Sequence, residues 1–197
     1  MSDFKWTPEF EKKYWEKFAP SYYRDVLKKK WEVFHTSRLL PASLVLGLMS
    51  HAYALDIGGG AYGGALSFLS GSWVKVLVDP LAEYFVERGT LPKDIVPVIG
   101  TVTDLRSLPS SIFDVVFCWE LFEHLDDESQ VEKALCEVET IMKTGAFLFV
   151  HHLVRIAPQV GHPFFASIGD FHARLGRFEL LWQRPARHEL YAIYRKG

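Results

Sequence analysis

The sequence predicts an α/β protein, a mostly parallel sheet covered by helices and closed by an antiparallel strand pair, with a helical segment ahead of it. Three observations carry this. Short apolar runs without alternation alternate with stretches of helical period, as in a parallel sheet buried on both faces. The first run ends at Asp56-Ile57 and breaks into Gly58-Gly59-Gly60-Ala61-Tyr62-Gly63-Gly64 before an apolar pattern resumes, which reads as strand, tight loop and helix. The last two strand-like runs are separated only by Gln183-Arg184-Pro185-Ala186-Arg187-His188, too short for a crossover helix, so they are antiparallel neighbours.

With 197 residues, 49% hydrophobic and 23% charged, the chain suits one globular domain, 1–197, with a helical appendage over 1–45 and the α/β core over 50–197. No apolar run approaches the roughly 20 residues of a membrane span, and the start lacks a signal-peptide layout. Cys118 and Cys136 have no metal or redox spacing, so reduced core residues in a cytoplasmic protein are expected. A net charge of −2 does not point to nucleic acid, although both ends are more basic than the middle.

Each element has its own signal. Thr7-Pro8-Glu9 starts a helix with a capping hydroxyl, a proline at the first helical position and an early acid, and Phe10, Tyr14 and Phe18 form its stripe. After Ala19-Pro20-Ser21, a second helix carries Leu27, Trp31 and Phe34 on one face and runs toward Leu40-Pro41, with Lys28-Lys29-Lys30 as its solvated side. A short helix over 42–50 leads to a strand over 52–57; the glycine loop and a helix to about Ser70 follow. Residues 73–78 are the second strand, and a helix with Leu81, Tyr84 and Phe85 ends at Gly89. Strands three and four are 95–99 and 113–119; Pro97 needs a position where no N–H is used. A helix from about Asp126 shows Val131, Leu135, Val138 and Met142 and stops at Thr144-Gly145, ahead of strand five over 146–150. A helix over about 164–175 precedes the final strand pair, 178–182 and 189–194.

In such a sheet a ligand sits beyond the carboxyl ends of the strands, beside strand one. This gathers the glycine loop, Asp79-Pro80, residues 100–104 and residues 118–124 around one crevice. Glycines let a ligand approach the backbone closely, and an acid about 20 residues after the loop suits ribose hydroxyls. On these residues alone a dinucleotide remains possible, because Gly58-Gly59-Gly60-Ala61-Tyr62-Gly63 spells its fingerprint.

Five segments together resemble the class I S-adenosylmethionine-dependent methyltransferases, in their small-molecule branch. They are Leu55-Asp56-Ile57-Gly58-Gly59-Gly60, Val78-Asp79-Pro80, Gly100 to Leu105, Phe113 to Leu125 with Glu123-His124, and Thr144-Gly145-Ala146-Phe147-Leu148. The resemblance implies a Rossmann-like seven-stranded sheet in the order 3-2-1-4-5-7-6 with the last strand antiparallel, and S-adenosylmethionine as cofactor. It implies the methionine end at Asp56, Gly58 and Gly60, backed by a helix N-terminus, and the ribose at Asp79 with Pro80 beside it. The adenine falls against Thr101, Val102, Asp104 and Trp119, with Glu120 near the sulfonium. Tyr62 in place of the usual third glycine and Thr101 in place of a frequent Asp are departures.

Methyl transfer from a sulfonium is an in-line displacement, helped by a base when the acceptor must lose a proton. His124, His151 and His152 are the candidates, and adjacent strand residues point opposite ways, so at most one of His151 and His152 faces the ligand. Phe18, Tyr22, Tyr23 and His162 are candidate lid or substrate residues, and no metal site is expected. The expected acceptor is a small molecule, methylated at O or N. The alternatives are a nucleic-acid methyltransferase and a non-catalytic protein of the same fold.

Overall fold

The computed structural model describes residues 7–17, 20–35, 52–153, 168–186 and 189–197. Its elements, in order, are α1 (Pro8–Lys17), α2 (Pro20–His35), β1 (Tyr53–Ile57), a 3-10 turn (Gly64–Phe68), β2 (Val74–Asp79), α3 (Ala82–Glu87) and β3 (Ile95–Ile99). There follow β4 (Phe113–Trp119), a 3-10 turn (Phe122–His124), α4 (Glu128–Ile141), β5 (Met142–Leu153), α5 (Ile168–Arg174), β6 (Phe178–Ala186) and β7 (Glu189–Lys196). The sheet has seven strands in the order β3-β2-β1-β4-β5-β7-β6. β1 to β5 are parallel to their neighbours, and β7 runs antiparallel to both β5 and β6. Pro97 falls on edge strand β3, where one row of backbone N–H groups has no strand to meet.

Alternation along the strands builds two cores. Leu55, Ile57, Val116, Cys118, Leu148 and Val150 face Val131, Leu135 and Val138 of α4 and Phe171 of α5. Ala54, Leu77, Val115, Phe117, Trp119 and Phe149 face Leu27, Trp31 and Phe34 of α2. Burying each of those three α2 side chains contributes roughly 1.5–3 kcal/mol, so the helix is held by tertiary packing. Phe34 stacks on Trp119 at 5.6 Å and 8° and meets Phe149 and Tyr191 edge-on.

Several local expectations are corrected. The helix after the glycine loop is only a five-residue 3-10 turn: Gly63 and Gly64 open it at positive φ, and it ends at Leu69 in extended conformation before Ser70-Gly71-Ser72. So short a turn supplies no helix dipole to a cofactor. β5 starts at Met142 rather than 146, because Met142 pairs with Phe113, and Gly145 at φ +79 accompanies a register shift before Val115. In α1 the docking residue is Trp15, edge-on to Phe85 at 5.9 Å, whereas Tyr14 is exposed. Lys30 does not share the solvated side of Lys28 and Lys29; it is buried. Cys136 is an exposed free thiol, and only Cys118 is in the core. The expected helix over 42–50, Phe18 and His162 lie outside the described residues, as do the side chains of Phe10, Tyr22 and Tyr23.

Candidate functional site

Because β1 to β5 run the same way, Gly58, Pro80, Gly100 and Glu120 emerge along one edge of the sheet. The glycine loop there is wound around Asp56. The Asp56 Oδ2 accepts a 2.6 Å bond from the Ala65 N–H, and a Cβ on Gly64 would stand 2.1 Å from that oxygen. A Cβ on Gly59 would lie 2.8 Å from the same carboxyl carbon. Two of the glycines therefore make room for the acid. Asp56 is buried and its Oδ1 has no hydrogen-bond partner among the described residues. Burial raises its pKa well above the ordinary range, and the charge of Asp79 adds to this.

Asp79 ties the loop to β2. Its Oδ1 accepts from the Leu81 N–H at 2.8 Å, and its Oδ2 from the Gly60 N–H at 3.2 Å. Burial nevertheless pushes its pKa up to about 6. Pro80 beside it is exposed. Gly58, at φ +72, is the exposed glycine of a largely buried loop, and a Cβ there would meet Leu121 Cδ1 at 3.0 Å. Tyr62 does not swing out to solvent. It joins Trp15, Tyr84 and Leu91 around Ala61, Leu81 and Phe85, where α1 packs on the loop and on α3. From α1, Glu11 feels Asp79; burial first and that charge second push its pKa up to about 7.

The strand-three turn is divided between core and surface. Val102 is buried in the core, Thr101 is exposed with its hydroxyl 3.2 Å from that of Thr103, and Asp104 forms a two-armed pair with Arg106 at 2.8 Å. That guanidinium holds Asp104 down to about 2.

Beyond β4, Glu120 is a non-glycine residue at φ +51, a conformation that costs energy and is found at functional sites. Its N–H donates to the His151 carbonyl at 2.8 Å, and its Oε1 lies 2.5 Å from Lys30 Nζ of α2. Trp119, His151 and Tyr191 stand side by side across β4, β5 and β7. The His151 ring is buried 4.5 Å from the Tyr191 ring, with Nδ1 3.8 Å from Glu120 and Nε2 3.6 Å from Glu189. Burial lowers the His151 pKa, so the imidazole is neutral near pH 7. Glu189 is held down to about 2, by His151 first and then by the Tyr191 hydroxyl, which donates to it at 2.7 Å.

His152 faces the opposite side, stacked on Phe171 at 4.8 Å and 8°, with Nδ1 3.5 Å from Glu123. Burial lowers its pKa to about 3, and the nearby His151 and His124 add to this. His124 ends the 3-10 turn on that side. The two adjacent histidines thus diverge, as strand geometry requires. Among the described residues, no three His, Cys, Asp or Glu side chains gather in a metal-binding arrangement.

Lys30, Glu189, Tyr191 and Glu11 were not singled out from the sequence. For Lys30 a signal existed: Leu27, Lys30, Trp31 and Phe34 are spaced i, i+3, i+4, i+7, so Lys30 belongs to the buried stripe.

A family model described as "Methyltransferase domain" matches residues 55–150, which takes in the loop, Asp79 and the end of β4 and stops within β5, one residue before His151. The segment matches a methyltransferase domain, as its resemblance to the class I S-adenosylmethionine-dependent methyltransferases implies. Among solved structures, the chain is similar to a Haloferax volcanii methyltransferase in complex with the Trm112 activator. There the TM-score is 0.62 and the identity 15%, over 88% of this chain and 94% of that one. It is also similar to the Burkholderia thailandensis 1,6-didemethyltoxoflavin-N1-methyltransferase with bound 1,6-didemethyltoxoflavin and S-adenosylhomocysteine. That match has a TM-score of 0.59 and 18% identity, over 91% of each chain. A Methanosarcina mazei S-adenosylmethionine-dependent methyltransferase matches at TM-score 0.59 and 19% identity, over 75% and 93%. At such identities the likeness shows the fold. No curated protein matches in sequence. The residues present fit the family's cofactor: an exposed glycine at the start of the loop, a buried carboxyl oxygen with no hydrogen-bond partner among the described residues, and a second acid at the end of β2.

Proposed function

We propose that the chain transfers the methyl group of S-adenosylmethionine to an oxygen or nitrogen of a small molecule, with His151 as the proton acceptor. The observation that carries this reading is His151 itself, a buried neutral imidazole at the end of β5 between the carboxylates of Glu120 and Glu189. Asp56, Gly58 and Gly60 would hold the methionine end, Asp79 the ribose, and Thr101 and Val102 the adenine side, whereas Trp119, expected there from the sequence, packs on the other face of the sheet against Phe34 of α2. Asp104 is the weaker member, since Arg106 already holds both its oxygens. Asp79 retains a lone pair on each carboxylate oxygen for a hydroxyl donor, beyond the two backbone bonds.

The cofactor supplies an electrophilic methyl on a cationic sulfur. It would leave as S-adenosylhomocysteine once the acceptor has taken the methyl, so the chain's own residues need only bind it and handle the acceptor's proton. The acceptor's proton passes to His151, and the imidazolium so formed faces the Glu189 carboxylate through Nε2. This is the charge arrangement that stabilises a general base. The aromatic side chains of α2 over the same face exclude water. The solved neighbour with bound 1,6-didemethyltoxoflavin and S-adenosylhomocysteine is consistent with a small acceptor.

The test is transfer of labelled methyl from S-adenosylmethionine to a panel of phenols, carboxylic acids, amines and total RNA. Label on a small molecule is expected. Label on RNA alone would overturn the acceptor class, and no label anywhere despite cofactor binding would favour a non-catalytic binder.

A further inference from the structure

Lys30 is the one polar member of the α2 stripe Leu27, Lys30, Trp31, Phe34, and it is 8% exposed, while Lys28 and Lys29 on the same helix are in solvent. A buried ammonium needs a counter-ion, and losing it costs several kcal/mol. The carboxylate that meets Lys30 is Glu120, at 2.5 Å, and that partner is poorly anchored for so buried a cation. Its side chain is 40% exposed and its backbone sits at φ +51. The second carboxylate of the cluster, Glu189, is already engaged by the Tyr191 hydroxyl at 2.7 Å and faces His151 Nε2. Trp119 Nε1 is a further buried donor on this face with no partner among the described residues. The face beneath α2 therefore holds a cation with a replaceable partner and an unused donor, beside the neutral His151.

We propose that Lys30 selects an acceptor bearing a carboxylate, which takes the place of Glu120 on the Lys30 ammonium while Glu120 turns to the cationic end of the bound cofactor. This rests on the methyl-transfer reading above and names the acceptor class for that same site. The exchange is balanced. The cofactor brings one positive charge and the acceptor one negative charge, so the cluster keeps its formal charge and no ion is left unpaired. Without the cofactor's charge, the incoming carboxylate would have to displace Glu120 into a site already holding Glu189. Cofactor therefore binds first. An amine acceptor would instead be drawn to Glu120 and Glu189 and repelled by Lys30.

Titration calorimetry on the full chain tests this with benzoate, benzamide and benzylamine as probes. Each is added to protein loaded either with sinefungin, whose amine carries a positive charge in place of the sulfonium, or with S-adenosylhomocysteine, whose sulfur is neutral. Benzoate is expected to bind the sinefungin-loaded protein at least tenfold more tightly than benzamide or benzylamine, and more tightly than it binds the S-adenosylhomocysteine-loaded protein. Lys30→Met should abolish the preference with sinefungin affinity retained, and Lys30→Arg should keep it. Should Lys30→Met fail to fold, the wild-type and Lys30→Arg arms still decide. Equal binding of benzoate and benzamide, a preference for benzylamine, no benzoate binding, or a folded Lys30→Met that keeps the preference would each overturn the assignment. If sinefungin binds and any of these occurs, only this inference fails. If sinefungin does not bind the wild type, the cofactor reading fails and the exchange with it.

Discussion

Replacing Gly64 by alanine separates the role of the Asp56 carboxylate from ordinary backbone strain. Gly64 has φ +51, and a Cβ there would lie 2.1 Å from Asp56 Oδ2 and 2.9 Å from the Gly59 Cα. Placing an L-residue in the left-handed region costs about 1–2 kcal/mol. The oxygen must also move, breaking its 2.6 Å bond from the Ala65 N–H, and leaving that buried donor and acceptor unpaired costs about 1.5–3 kcal/mol. Gly64→Ala is thus expected to cost about 2.5–5 kcal/mol. Gly89 is the control: its φ is +64, but nothing lies within 4 Å of its ideal Cβ, so Gly89→Ala should cost only about 1–2 kcal/mol. At about 2–4 °C per kcal/mol for a chain of this size, the midpoints should fall by about 2–8 °C for Gly89→Ala and about 5–20 °C for Gly64→Ala. Thermal and urea unfolding measure this. S-adenosylhomocysteine titration of the folded variants should show weakened binding for Gly64→Ala alone. If Gly64→Ala is no more destabilised than Gly89→Ala, the loop is not wound on Asp56 as described.

Asp79→Ala should weaken S-adenosylhomocysteine binding about 5- to 150-fold, the equivalent of about 1–3 kcal/mol; unchanged affinity would remove Asp79 from the site. Glu11, with its pKa raised from 4.5 to about 7, contributes stability that is present below pH 4.5 and lost as pH rises through 7. Wild type and Glu11→Gln should therefore melt alike at pH 4.5, with the variant more stable at pH 8, and a gap constant with pH would contradict the burial of Glu11 against Asp79. His151→Asn should lower kcat by about 10²–10⁴-fold with cofactor affinity kept, whereas His152→Asn should lower the melting temperature and leave kcat near wild type. Equal losses of kcat in both variants would remove the assignment of His151.

The sheet was legible because β1 to β4 are short apolar runs closed by a glycine, acid or proline, and β3 and β4 fall where those runs do. Less legible were features set by tertiary contacts. Met142 reads as the last turn of a helix but pairs with Phe113 in the sheet. The 3-10 turn after the loop could not be told from a longer helix, since its apolar spacing is helical and the glycines ahead of it decide its length. At the site, Asp56 and Asp79 were found by their positions after strands, but their hydrogen bonds to the Ala65, Gly60 and Leu81 backbone depend on loop geometry. Lys30 was hidden inside a run of three lysines, where charge alone suggests solvent, and only helical phase separates it from its neighbours. Glu189 and Tyr191 come from the far strand β7, and their approach to His151 follows from its insertion between β5 and β6.

The most direct test of the central claim is calorimetric titration of the full chain with S-adenosylhomocysteine and, separately, with NAD, because the glycine loop spells the dinucleotide fingerprint while the other segments resemble the methyltransferases. One-to-one binding of S-adenosylhomocysteine, with no measurable heat from NAD, is the predicted result. Binding of NAD with none of S-adenosylhomocysteine would contradict the account.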